Sequence, residues 1–347
     1  MKLLILEYAT ATGLDDPSIT AEGHSMLQGL LEDLKDFETY HLISSNVSEN
    51  YDRYSLPIKV QGDLKIWLHR NIKFYDACIL IAPEENNILY DITCIIEDED
   101  VEILGSNSNA VKSTTNKFEM YNLLKEKLPL IKTEKIYFKD LHQETTLDQD
   151  YFKSLFINDQ PKVIKPADGV SCSGISVVKS FEEFIKALDY LKMYTKLPYF
   201  IIQDYVSGVN VSVSLLSSGD SAVPISLNYQ DVQLNSGKIN YTGGKVPYKH
   251  KLSDIAMEIS KKAVESIDGL KGYIGVDMIF ENENEVRLVE INSRLTTPYV
   301  GLRKIVNFNL GEAIINSVNG ELPSQIKLNG TVNFYKEEKN LRISVLK

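Results

Sequence analysis

The chain is 347 residues long and carries 37 Lys and Arg against 48 Asp and Glu, a formal charge of −11. At roughly 100–200 residues per domain that length implies two or three domains, and a composition 43% apolar and 24% charged excludes wholesale disorder. The negative balance repels phosphate backbones and anionic lipid, so no nucleic acid and no membrane is expected as a partner.

Three cysteines (Cys78, Cys94, Cys172), widely spaced and odd in number, make neither a disulfide framework nor a CxxC knuckle. The five histidines show no HxxH or HExxH spacing, which leaves a zinc site little support. No apolar run approaches the ~20 residues that span a bilayer, and residues 1–7 read as a first strand rather than a signal peptide. The expectation is a cytoplasmic, reduced protein.

Residues 2–8 are a short apolar run, and residues 20–34 place Met26, Leu27, Leu30, Leu31 and Leu34 on one helical face. A short strand at 40–43 is followed by a helix at 63–74, a fully buried strand at 77–82 and a helix at 85–96. That rhythm predicts a parallel sheet covered on both faces, an α/β domain over residues 1–105. The spacing then predicts a helix at 116–128 stopped by Pro129, strands at 133–138 and 162–165, and an ambiguous polar stretch at 140–156. Ser180 and Glu183 can each satisfy the other's exposed backbone donor, a capping box that opens a helix to about residue 192. Strands follow at 199–205, 209–216, 223–228, 273–280 and 285–291, with helices at 254–266 and 301–317 between and after them. This pattern implies two α+β lobes, over 106–200 and 201–325. The tail, 326–347, has no placement from its sequence.

Two segments carry chemistry. Four residues, Glu281 to Asn284, join two strand-like runs. With that loop Phe280 faces Glu285, Asp277 lies opposite Leu288, and Glu290 is its diagonal neighbour ~7–8 Å away. Alternation puts Asp277, Glu290 and Asn292 on one face. Hard oxygen ligands of this kind suit Mg²⁺, which keeps waters and borrows substrate phosphates. The alternative is the solvated face of an amphipathic hairpin; Val286, Leu288 and Val289 weigh against it, because in a buried strand an unpaired carboxylate is costly. In the second segment a strand delivers Lys165 into a small-residue loop containing Gly169, Ser171, Ser173 and Gly174. Backbone N–H groups of such a loop can wrap phosphates, with Lys165 adding positive charge. It is not a Walker A loop, since Ile175 stands where that motif needs lysine. The alternative here is a plain surface turn.

Lys117, Lys165 with its Gly/Ser loop, Gln203-Asp204-Tyr205-Val206, and Asp277 with Glu290 and Asn292 follow the order and spacing of the ATP-grasp superfamily, which the chain resembles over residues 105–320. The resemblance implies that Lys117 and Lys165 contact the phosphates of ATP, that Gln203 to Val206 line the adenine slot, and that Asp277, Glu290 and Asn292 hold Mg²⁺ or Mn²⁺. Asn210 stands where many members carry a ribose-binding Glu. Relatives often read Asn-Pro-Arg where this chain has Asn292-Ser293-Arg294, so the arginine's implied role at the transferred phosphate is kept, beside Lys165. A narrower likeness rests on Glu7 to Gly13, Tyr241 to Pro247 and Arg294 to Arg303, which resemble the archaeal tyramine–glutamate ligases of methanofuran biosynthesis. It implies small-molecule carboxylate and amine substrates near Glu7, Tyr8, Tyr241, Lys245, Arg294 and Arg303. Arg303 reads equally well as a surface residue at a helix start. A homodimer stays open.

The implied reaction activates glutamate's γ-carboxylate as an acyl phosphate, which tyramine attacks. Phosphoryl transfer needs positioning and charge neutralisation rather than a protein nucleophile, so the lack of a Ser/His/Asp constellation is no objection. Alternatives are the same activation for another amine and acid, or an ATP-binding sensor without turnover. The absence of GxGxxG after the first strand disfavours an NAD-dependent dehydrogenase.

Overall fold

The computed structural model describes residues 1–45, 54–141, 155, 160–169, 172–235, 237–282, 284–337 and 340–346. Ser171 and most of the ambiguous stretch at 140–156 lie outside them.

The chain begins with β1 (Lys2–Glu7), α1 (Tyr8–Thr12), α2 (Pro17–Asp33), β2 (Glu38–Ser44), β3 (Leu56–Val60), α3 (Leu64–Asn71), β4 (Ala77–Ile81), α4 (Ile88–Asp98) and β5 (Glu102–Ile103). The five strands form one parallel sheet in the order β3-β2-β1-β4-β5. Strand β1 is central and buried on both faces, which is why it reads as an unbroken apolar run. Leu3 and Ile5 pack under the leucines of α2, while Leu4 and Leu6 face Leu68 of α3 and Ile92 and Ile96 of α4. Strands β3 and β5 are additions to the sequence reading, both short and at the sheet edges.

Two short helices follow, α5 (Ser108–Thr115) and α6 (Lys117–Leu124). The break falls at Asn116, whose side chain caps α6 by accepting from the Phe118 and Glu119 amides. One lobe comprises β6 (Thr133–Tyr137), β7 (Lys162–Lys165), β8 (Ser176–Val178), α7 (Phe181–Lys192) and β9 (Tyr199–Asp204). Ser180 accepts from the Glu183 amide at 3.2 Å, but Glu183 reaches back to the amide of Lys179, at 2.7 Å, so the reciprocal bond is one residue upstream of the expected box.

The other lobe comprises β10 (Gly208–Ser218), β11 (Ala222–Asn235), β12 (Lys238–Val246), α8 (Ser253–Glu265), β13 (Lys271–Glu281) and β14 (Glu285–Asn292). Both lobes share one sheet, β14-β13-β10-β11-β12-β8-β7-β9-β6, whose middle joint between β12 and β8 is the single residue pair Lys238–Ser176. The helix expected at 301–317 is two, α9 (Tyr299–Leu302) and α10 (Leu310–Val318), the second capped by Asn309. The tail has a definite place: β15 (Thr331–Lys336) pairs with β12, and β16 (Leu341–Leu346) pairs with β15. Gly243 and Gly244 of β12 explain how that is possible. A Cβ on Gly243 would lie 2.2 Å from the Phe334 carbonyl oxygen, and one on Gly244 2.4 Å from that of Tyr229, so only glycine lets the neighbouring strands come this close.

The C-terminal elements close onto the N-terminal domain. Tyr299, Leu302 and Ile314 share a core with Leu27, Leu30 and Leu31 of α2. Arg303 does not open to solvent: its Nε and Nη2 donate to Asp33 at 2.9 and 2.6 Å, and Tyr299 donates to the same carboxylate at 2.5 Å. Among the described residues no helix is long and apolar enough to cross a membrane. Removing one partner of a buried pair strands the other charge, so Asp33→Ala is expected to lower unfolding free energy by about 3–5 kcal/mol, while Asp33→Leu with Arg303→Met costs much less. Urea denaturation of the three proteins measures both values.

Candidate active site

A cleft of about 270 Å³ opens between the lobes, with Lys165, Gly169 and Gln203 on one wall and Asn210, Asp277 and Glu290 on the other. Strand β13 turns Asp277 and Ile279 toward it, with Met278 also at the lining, and buries Val276 and Phe280 beneath. The hairpin register differs from the sequence reading. Phe280 pairs with Val286 rather than Glu285, and a bulge between Asp277 and Met278 advances the pairing once more, so Asp277 lies directly across from Glu290. The physical reason is the extra residue in β14: it lets Val289 and Glu290, adjacent in sequence, both line the cleft.

Two like charges directly opposite repel, and the surroundings divide them. Burial, then the charge of Glu290, pushes the Asp277 carboxyl up to about 8. Asn292 and Gln230 donate to its two oxygens at 3.1 and 3.0 Å. Glu290 is also lifted by burial, but Lys117, 3.2 Å away, and Lys165 outweigh this and hold it below the usual range. Lys165 is 4% exposed; burial lowers its ammonium to about 8, with Lys117 adding to the shift and Glu290 opposing it.

Lys117 carries more than charge. As the first residue of α6 its amide has no helical partner, and it donates to the Ala167 carbonyl at 2.8 Å. Its ammonium donates to the Gly169 carbonyl at 2.6 Å. Asp168 between them is buried and accepts from Thr195 at 2.8 Å and the Asn86 amide at 3.3 Å. The loop after β7 is therefore pinned from the N-terminal domain, α6 and its own lobe.

Arg294 donates to Glu84 at 2.7 Å and to the Leu295 carbonyl at 3.0 Å, leaving its Nε buried without a hydrogen bond. Glu84, Glu22, Gln230 and Thr297 were not singled out from the sequence. Glu84 had a usable signal, since it closely follows the carboxyl end of β4, where open α/β sheets place ligand contacts. Glu22 had none, being one acidic residue on an amphipathic helix.

The cleft also takes in Asp204, Tyr205, Val206, Asn292, Arg294 and Tyr241. The side-chain amide of Gln203 donates to Thr133 at 2.7 Å. Ser173 and Gly174 stand outside the lining; Gly174, at φ +72°, packs against Pro166 and Tyr194. Glu7 is buried and caps α1, accepting from the amides of Ala9 and Thr10 at 3.0 and 2.8 Å. Tyr8 lines a separate cavity of about 400 Å³ beside Ser44, Asp63 and Lys65. Lys245 is an exposed residue of β12 outside the lining, and Arg303 is engaged by Asp33 as described above.

Two carboxylates, an amide and two ammonium groups fit a divalent cation carrying phosphates: the cation would relieve the repulsion between Asp277 and Glu290, and phosphates would give Lys117 and Lys165 anionic partners. Mg²⁺ is bound through one or two carboxylates and keeps waters and phosphate oxygens for the rest of its shell.

A family model of the ATP-grasp domain matches residues 114–298, and one of the pre ATP-grasp 3 domain matches residues 42–111. The chain belongs to the ATP-grasp family of ATP-dependent carboxylate–amine ligases. The tyramine–L-glutamate ligase of Methanocaldococcus fervens is 33% identical over 328 residues, covering 92% of this chain and 94% of that protein. The tyramine–L-glutamate ligase of Methanocaldococcus jannaschii is 32% identical, covering 92% and 90%. A solved structure assigned to the ATP-grasp superfamily, from Archaeoglobus fulgidus, superposes over 100% of both chains with a TM-score of 0.71 at 23% identity and shares the fold.

Lys165→Met is expected to raise the Kd for Mg-ATP at least tenfold, about 1.4 kcal/mol. Calorimetric titration measures the Kd, and a melting curve checks that the variant is folded.

Proposed function

We propose that the protein joins L-glutamate, through its γ-carboxylate, to tyramine, with ATP converted to ADP and phosphate. The observation that carries this reading is the alignment with the Methanocaldococcus ligases over 92% of the chain, which takes in both walls of the cleft and the segment from Arg294 to Arg303.

A carboxylate is a poor acyl donor because its leaving group would be oxide. Transfer of the γ-phosphoryl group of ATP to a carboxylate oxygen makes an acyl phosphate, with ADP leaving. The amine nitrogen then attacks the acyl carbon, the C–O bond to phosphate breaks, and the proton lost by nitrogen leaves on the phosphate. The chain's own contribution is positioning and charge. Gln203 to Val206 and Asn210 hold the nucleoside between the lobes, with Val289 and Ile279 as apolar floor. Lys117 and Lys165 hold phosphate oxygens, Lys117 fixing the loop at Gly169 at the same time. Asp277, Glu290 and Asn292 hold Mg²⁺, which when bound screens the negative charge of the phosphates. Arg294, oriented by Glu84, faces the oxygens of the transferred group.

Mg-ATP with tyramine and L-glutamate together is expected to release ADP and give a product one water lighter than their sum; either substrate alone gives none. Release with glutamate and a different amine would move the substrate assignment, and ATP binding without release for any pair would favour a sensor. Glu290→Ala is expected to lower kcat by about 100-fold or more, measured on protein that a melting curve shows to be folded; normal ligation by that variant would sink the metal assignment.

A further inference from the structure

Four segments distant in the chain meet beside Arg294: α2 with Glu22, β12 with Tyr241, the turn before α9 with Thr297, and β15 with Lys336. The Glu22 carboxylate accepts from the Thr297 hydroxyl through one oxygen and pairs with the Lys336 ammonium through the other. The two charged side chains are 12% and 13% exposed. Lys336 also stands over the Tyr241 ring, 5.2 Å from its centroid. The Tyr241 hydroxyl is buried and makes no hydrogen bond of ordinary geometry, although Thr297 is beside it. Glu22, Tyr241, Thr297 and Arg294 line the cleft, and Lys336 reaches this group through its contacts with Glu22 and Tyr241.

We propose that Glu22 and Lys336, with the Tyr241 hydroxyl, are the receptor for the α-ammonium and α-carboxylate of the amino-acid substrate. This rests on the reading of the protein as an amino acid–amine ligase. A buried ion pair brings little stability over apolar residues of the same size, so stability alone does not account for one at the wall of a cleft. A zwitterion exchanges with it at no cost in unpaired charge: its ammonium goes to Glu22, its carboxylate to Lys336, and one ion pair becomes two. The carboxylate also supplies the acceptor that the buried tyrosine hydroxyl lacks. Arg294 is fixed next to this receptor, so the far carboxylate of the same molecule is directed toward the phosphate end.

The receptor reads two groups, so two analogues of L-glutamate test it: glutarate, which lacks the α-ammonium, and 4-aminobutyrate, which lacks the α-carboxylate. With tyramine and Mg-ATP, the wild-type enzyme is expected to prefer glutamate over each by about 100-fold or more in kcat/KM. Glu22→Gln is expected to narrow the preference over glutarate at least tenfold and leave that over 4-aminobutyrate. Lys336→Met does the reverse. The conservative Tyr241→Phe raises the KM for glutamate and not for 4-aminobutyrate, and keeps the test available if a charge variant fails to fold. In all three the KM for ATP stays within twofold. Equal loss on all three acids, with the ratios unchanged, would overturn the receptor and leave the ligase reading intact. A wild-type enzyme that joins tyramine to none of the three acids would overturn the assignment of glutamate and tyramine as its substrates, on which the receptor rests.

Discussion

The ammonium of Lys117 lies between the two lobes, 2.6 Å from the Gly169 carbonyl and 3.2 Å from the Glu290 carboxylate. That one group joins the phosphate loop to the acidic strand, and the electrostatics of the cleft are arranged around it. It keeps Glu290 ionised while the neighbouring Asp277 is driven toward its neutral form. It also lowers Lys165. In a medium of low dielectric constant these charges are strongly coupled: two ammonium groups face a crowded carboxylate pair, and in the proposed function Mg-ATP would bring an anion to the first and a cation to the second.

The N-terminal domain is more than an appendage to this arrangement. Glu84 orients Arg294, the Asn86 amide holds Asp168, and Glu22 forms part of the cleft wall. Asp33 fixes Arg303 and so anchors the C-terminal helices on α2. The tail completes the circuit, since β15 both extends the sheet at β12 and brings Lys336 to Glu22. The walls of the cleft thus rest on docking contacts between distant parts of the chain, and buried charge pairs give those contacts orientation as well as attraction.

How legible the fold was varied with the kind of signal. The α2 leucines, the apolar β1 and the Ser180 cap are local signals, and their elements stand close to where such patterns place them. The glycine-rich β12, the broken helix at 299–318 and the tail hairpin were not legible. Gly243 and Gly244 look like a loop to any local rule, and only the nearby Phe334 and Tyr229 carbonyls make glycine the strand residue there. The bulge at Asp277 belongs to the same class, because a one-residue slip in β14 leaves composition and alternation almost untouched while changing which side chains face each other.

The sequence by itself determined which chemistry was available: a lysine delivered into a small-residue loop, a second lysine at a helix start, and two carboxylates with an amide within a hairpin. These follow from short-range spacing, which chain geometry converts directly into a shared face. Only the tertiary structure decided what Glu22, Glu84, Arg303 and Lys336 do. Glu22 and Lys336 form a pair 314 positions apart, and Arg303, read from the chain as a substrate contact or a surface residue, docks onto Asp33 instead. A charge has no periodicity and no local partner to announce its role, so its function is set by whichever opposite charge folding brings to it.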